Sequence, residues 1–353
     1  MSLITIHHLR FTIYDLRFTE TMTNPVFNSF GRFRSGWRFL FYILAYIGAL
    51  TVISGVAVII LTLMLGKEGA EQVFYGRRGY LFQGILSLAV ASFVGWLCGA
   101  FLEGLPFKAL GWSLHRGWLK DLIVGSVIGA LSVALAILII KSFGGYRFSF
   151  NQSASFASMT KTVFYSLVIF VLAAAAEETA FRGYGLQTMA RSNIKWAWLS
   201  IVLLSLAFGF VHLRNPNVSF GFTFINTALA GIWLSVAYLK TRSLWFPLGA
   251  HWAWNWTMAA IFGIPVSGIS TITPAPLFKV EIGGPTWLSG GSYGVEGGIA
   301  CAVAVLFSTA AIWFLPTVKP TEEMYALTSK ENPLRERAIV NPPPQPPPFS
   351  SDA

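Results

Sequence analysis

The sequence predicts an all-α fold of the membrane kind, a polytopic helix bundle of about eight transmembrane helices. Composition is the first observation behind this. Charged residues make up 11% of the 353 and hydrophobic residues 54%, with a mean hydropathy of +0.61. Soluble domains carry ~25% charged residues, and no soluble fold of this size hides so much apolar surface behind so few charges. The second observation is that the apolar residues fall into eight stretches, nearly all with the ~20 residues that cross ~30 Å of hydrocarbon. The third is that these runs are continuous. A lipid-facing barrel strand would alternate, so the spans are helices. Disorder, collagen and coiled coil are excluded on the same counts.

The stretches follow in order. Phe39–Gly66 comes behind a basic run at the membrane edge (Arg32, Arg34, Arg38), and Gly79–Leu102 and Leu122–Ile140 are free of charge. Thr162–Ala176 is apolar until it meets Glu177, so it spans only if the helix continues through Glu177 and Glu178. Trp196–Leu213, Phe220–Leu239, Leu244–Ile264 and Gly298–Leu315 complete the set. Between the last two lies a glycine-rich stretch, Gly283–Gly298, which reads as a turn-rich external loop. Glu296 is the group within it that could reach inward.

The division of the chain follows from these spans. Residues 1–38 form an N-terminal segment. Residues 1–21 repeat Leu-Arg-Phe-Thr at Leu9–Thr12 and Leu16–Thr19, lack the apolar core of a signal peptide, and read as dispensable. Residues 39–316 hold the eight helices, and 317–353 form a tail whose last part, Asn341–Ala353, carries six prolines and reads as extended or disordered. With eight spans, most of the 25 Lys and Arg fall on the side of the termini. The positive-inside rule then puts both termini in the cytoplasm, as expected of a multi-pass protein of the plasma membrane. The net charge of +10 is scattered between apolar segments, which is a topology signal and argues against nucleic-acid binding. Cys98 and Cys301 sit inside apolar runs with no CxxC spacing and read as small buried residues.

Chemistry is confined to the second half. The first three helices carry no ionisable group in their apolar cores, whereas the later ones contain Glu177, Glu178, Arg182, His212 and His251. Such groups cost at least ~2.5–3.5 kcal/mol at membrane depth and are kept where they face a cavity. On a helix, Glu178 and Arg182 stand at i,i+4 and can pair, which a structural tie would also explain. Glu177, about 100° away, stays outside the pair. Its charged form is disfavoured in low dielectric, which suits a general base. Phe208 and His212 are also at i,i+4, a spacing that a packing histidine bonded to the backbone would share. His251 and Asn255 share one face and aim two polar groups at one point, although inter-helix hydrogen bonding would use them too.

A carboxylate, two imidazoles and a carboxamide on three helices suit amide hydrolysis, with a base for water and donors for the oxyanion. Glu177, His212 and His251 also form a possible zinc set with an open fourth position, although HExxH is absent. No GxSxG or Cys/His arrangement offers a nucleophile.

At these residues the sequence resembles a known family. Glu177-Glu178-x-x-x-Arg182, Phe208-x-x-x-His212 and His251-x-x-x-Asn255 are similar, in order and on successive helices, to the three motifs of the type II CAAX prenyl endopeptidase and bacteriocin-processing (CPBP, or Abi) family. The resemblance covers about residues 160–265. It implies an eight-helix intramembrane endopeptidase in which Glu177 with His212 activates water, His251 and Asn255 stabilise the oxyanion, and Glu178 and Arg182 support the site. The substrate implied is a membrane-associated protein or peptide. Both a metalloprotease and a metal-free mechanism are attached to the family. The expectation here is that no cofactor is required, because a Glu177 bound to zinc is no longer free as base. A transporter or proton relay and a non-catalytic scaffold or immunity protein are the competing classes. Geometry poses one condition: Glu177 and His212 meet only if the fourth helix continues to about Met189 and the fifth is tilted or displaced.

Overall fold

The computed structural model describes residues 24–28, 31–192 and 194–328 of the chain. The expected extension 1–21 and proline-rich stretch 341–353 lie outside the described residues. The bundle is built from α1 (Ser35–Tyr75), α2 (Arg77–Cys98), α3 (Trp118–Ser142), α4 (Phe156–Glu178), α5 (Ile194–His212), α6 (Phe220–Thr241), α7 (Trp245–Trp256) and α8 (Ile299–Phe314). A short α9 (Glu322–Thr328) follows, within the segment that the sequence assigns to the tail. The all-α polytopic bundle is as the sequence predicts, and the chain is a multi-pass membrane protein. Among the described residues six helices are long and apolar enough to span, ending with Phe220–Thr241.

The seventh and eighth apolar stretches make shorter helices, α7 of 12 residues and α8 of 16. In the seventh, a π-helical turn at Thr257–Ile261 follows α7, and Gly263 (φ 65°) and Pro265 then end the run. Proline lacks the N–H that a further helical turn would use. The first stretch ends where Gly66 adopts φ 71°, ψ 171° and breaks α1, a left-handed conformation that costs glycine nothing.

Chain connections leave two ends to the bundle. The end bearing the N-terminal segment, the 99–117 connection and α9 contains a buried ion cluster. There Glu103 Oε2 lies 2.7 Å from Arg38, Oε1 lies 3.4 Å from Arg191, and Thr188 donates to Oε1 at 2.8 Å, tying α1, α2 and the end of the fourth span together. The other end carries an element absent from the sequence reading, a two-stranded antiparallel sheet of β1 (Tyr146–Phe150) and β2 (Phe278–Ile282), with Tyr146 opposite Ile282. The 262–298 connection that contains β2 caps this end. Glu296 lies on it.

Burial separates the helices by role. The most apolar part of α1 is 0% buried and faces outward along its length, whereas the corresponding part of α6 is 56% buried and forms the centre. α3 and α7 approach each other closely. A Cβ added at Gly125 would run into the carbonyl of Phe246, one at Gly129 into that of Ala250, and one at Gly249 into that of Leu122. This small-xxx-small contact lets two backbones touch where no hydrophobic effect drives helices together. It holds α7 at a fixed depth, one residue before His251.

Candidate active site

The fourth span meets the condition set by the sequence. After α4, a π-helical turn at Thr179–Leu186 and a further turn at Gln187–Ala190 carry it on, so that Glu177 lies well inside a 35-residue span, Phe156–Ala190. The π-turn opens directly after Glu178. Thr179 donates to Ala175 O at 2.6 Å and accepts from the Trp112 indole at 3.1 Å, which fixes the helix at this point. α7 likewise turns π-helical directly after its motif, at Thr257. Such insertions recur at functional sites.

Glu178 and Arg182 pair as expected. Arg182 Nη1 lies 3.0 Å from Glu178 Oε1, Nη2 donates to Gly231 O on α6 at 3.1 Å, and the guanidinium sits 4.9 Å from the Phe208 ring centre. Both side chains are almost fully buried. The sequence missed the second partner of Glu178. His251 Nδ1 bonds to the same Oε1 at 2.8 Å, so Nδ1 carries a proton and Nε2 faces away from Glu178. That nitrogen points at Glu177, with Nε2 and Oε2 3.7 Å apart. This is too long for a hydrogen bond, and Oε2 itself is buried without a hydrogen-bond partner. Glu177 is 36% exposed against 0% for Glu178, so neighbouring carboxylates have opposite surroundings. One is locked in structure and the other is open to a cavity.

His212 is brought to the same place from α5. Its Nδ1 bonds the Phe208 carbonyl at 2.7 Å, which leaves Nε2 for the cavity. Phe208 is the spacer, its ring 4.6 Å from that of His212 and 6.1 Å from that of His251. Asn255, one turn beyond His251, is buried against the cavity wall. All four proposed catalytic residues therefore line one cavity of about 330 Å³. Glu178 and Arg182 stand behind it.

Glu296 also lines this cavity, where the sequence reading favoured an external loop. Trp254 donates to its Oε1 at 3.2 Å, and the Ser267 N–H and hydroxyl donate to Oε2 at 2.7 and 2.6 Å. The turns expected around it are present, as short helical turns at Thr286–Ser289, Gly291–Tyr293 and Val295–Gly297. Tyr80 of α2 also lines the cavity and shares a 3.1 Å hydrogen bond with Thr271. The alternative zinc set fits poorly. Among the described residues no three His, Cys, Asp or Glu side chains converge on a point that could hold a metal ion.

The resemblance read from the three motifs is supported by comparison. Residues 159–257, which contain all of them, match the family described as type II CAAX prenyl endopeptidase, Rce1-like. A protein of Bacillus subtilis (strain 168), named as uncharacterized protein YyaK, is 28% identical over 160 residues, covering 42% of this chain. The match spans about half, 47%, of that protein's length. No solved structure matches the chain.

Proposed function

We propose that this protein is an intramembrane endopeptidase that hydrolyses a peptide bond of a membrane-associated protein or peptide with water activated by Glu177. The observation that carries this reading is the chain Glu178–His251–Glu177, which puts a fixed imidazole beside an open carboxylate in a cavity within the membrane spans. In this mechanism a water molecule held on the cavity-facing side of the Glu177 carboxylate loses its proton to Glu177 as it attacks the scissile carbonyl, with His212 Nε2 as a second acceptor. The protonated form of His251 presents Nε2–H, and Asn255 presents its amide N–H, to the oxyanion. Glu177 then returns the proton to the leaving amine. Glu178 holds the His251 ring in place, and Arg182 balances the charge of Glu178. Every step is carried by side chains of this chain. With both termini in the cytoplasm of a plasma-membrane protein, the capped end of the cavity faces outward.

The test is a peptide library incubated with purified protein, with products read by mass spectrometry. Wild-type protein is expected to cut and Glu177→Ala to leave all peptides intact while remaining folded and inserted. Cutting by Glu177→Ala at the wild-type rate would reject the assignment.

A further inference from the structure

Two features of the cavity's capped end are not used by hydrolysis. The first is the Glu296 carboxylate, held by three neutral donors and facing no cation. Among the described residues the cavity wall contains two carboxylates and two imidazoles but no Lys or Arg. The second is Asn226, 1% exposed, on the same wall. Both of its amide hydrogens are spent on backbone carbonyls, Glu296 O at 2.9 Å and Gly298 O at 2.8 Å. Its Oδ1 is left buried with no donor. That end of the cavity therefore presents a carboxylate and an unpaired acceptor with no Lys or Arg among the described lining residues to balance them. A buried acceptor without a donor costs about 1–3 kcal/mol, which a ligand supplying N–H groups would relieve.

We propose that Glu296, with Asn226 on the same wall, selects a cationic side chain of the substrate, Lys or Arg, and so sets where the peptide is cut; this rests on the endopeptidase reading above. A carboxylate already fixed by neighbouring donors receives an ammonium or guanidinium in a charge-assisted bond without having to be ordered first. The location agrees with that occupant. Glu296 lies on the 262–298 connection, outside the spans, and a long basic side chain flanking an apolar segment runs its stem along apolar surface and brings its charge to such an edge.

The test uses quenched fluorescent peptides in detergent, identical except for one position occupied by Lys, Arg, norleucine, citrulline or Glu. That position is moved along the peptide, and each peptide is made with a free and an acetylated N-terminus. Wild-type protein is expected to favour Lys over norleucine by roughly 10- to 100-fold in kcat/KM, the range for a hydrogen bond to a charged group, with most of the difference in KM. Glu296→Gln is expected to bring that ratio close to unity, and Glu296→Lys to reverse it in favour of Glu peptides. A merely structural role in holding the cap produces no reversal. An unchanged ratio in Glu296→Gln would overturn the proposal, and so would a preference that follows the free N-terminus and not the side chain. Cleavage without basic preference defeats this inference alone, whereas no Glu177-dependent cleavage defeats the protease reading. Anisotropy of the same peptides on Glu177→Ala protein reads the selectivity without turnover, and equal Kd values for Lys and norleucine would defeat it there as well.

Discussion

Arg182→Ala is the perturbation whose consequences the structure defines most fully. Arg182 is 1% exposed and is held by Glu178 at 3.0 Å, the Gly231 carbonyl at 3.1 Å, and the faces of Phe208 and Phe181. Truncation leaves Glu178, which is 0% exposed, with His251 as its remaining partner. Removing one member of a buried pair costs about 3–5 kcal/mol, because the other charge stays buried and unpaired. For a chain of this size that corresponds to a fall in Tm on the order of 10 °C. The measurement is thermal unfolding of detergent-purified protein followed by tryptophan fluorescence.

A second pair of variants separates stability from chemistry. Glu178→Gln alone strands Arg182 and is expected to destabilise to a similar extent. Glu178→Gln combined with Arg182→Met removes both charges and is expected to recover most of the lost Tm, since an apolar replacement of a buried pair is often neutral or better. Activity is not expected to return, because the anionic Glu178 oxygen that orients His251 Nδ1 is gone. An Arg182→Ala protein within about 2 °C of wild type would show that the pair is hydrated and that the buried site described here is wrong. A double variant regaining both stability and activity would remove Glu178 from its positioning role.

The remaining expectations concern the other groups of the site and its surroundings. His212→Ala should abolish cleavage with an unchanged melting curve, and Asn255→Ala should lower kcat by roughly 10²–10³, the loss for one oxyanion donor; full activity in either variant refutes its assignment. Chelation should leave activity intact and elemental analysis should find sub-stoichiometric zinc, whereas activity lost to chelator and restored by zinc would establish a metal centre. Outside the spans, burial holds His115 below its ordinary pKa of 6.5. The unfolded chain therefore takes up this proton first, so the contribution of His115 is complete above 6.5 and is lost as pH falls below it. His115→Gln should flatten that part of the stability profile, and an unchanged slope would refute the attribution.

What the sequence makes legible is whatever depends on separation along one helix. The i,i+4 pair Glu178–Arg182, the exclusion of Glu177 from it, and the shared face of His251 and Asn255 follow from helical geometry alone, and the structure retains the pair and places these residues around one cavity. The bond from His251 to Glu178 crosses between helices 73 residues apart, and no periodicity encodes such a contact. Glu296 was obscured for a related reason. The glycines around it do form turns, but turn chemistry does not say which way the loop folds back. The small sheet had a signal that could have been read, the alternation Tyr-Arg-Phe-Ser-Phe at Tyr146–Phe150, a period of two beside helices of 3.6.

The parts that could not be read are those that set the depth and angle of the site. His251 follows Ala250, whose carbonyl leaves no room for a Cβ on Gly129, so the height of the imidazole is fixed by glycines on a helix that contributes nothing to the chemistry. On the other side of the cavity, the span runs on through the π-turn after Glu178 to Ala190. That continuation keeps Glu177 away from the end of the span. The motifs name the proposed reacting groups, while the glycine contact and the continued span decide whether those groups meet within the bundle. A chain could keep all three motifs, lose either feature, and no longer place Glu177 beside His251.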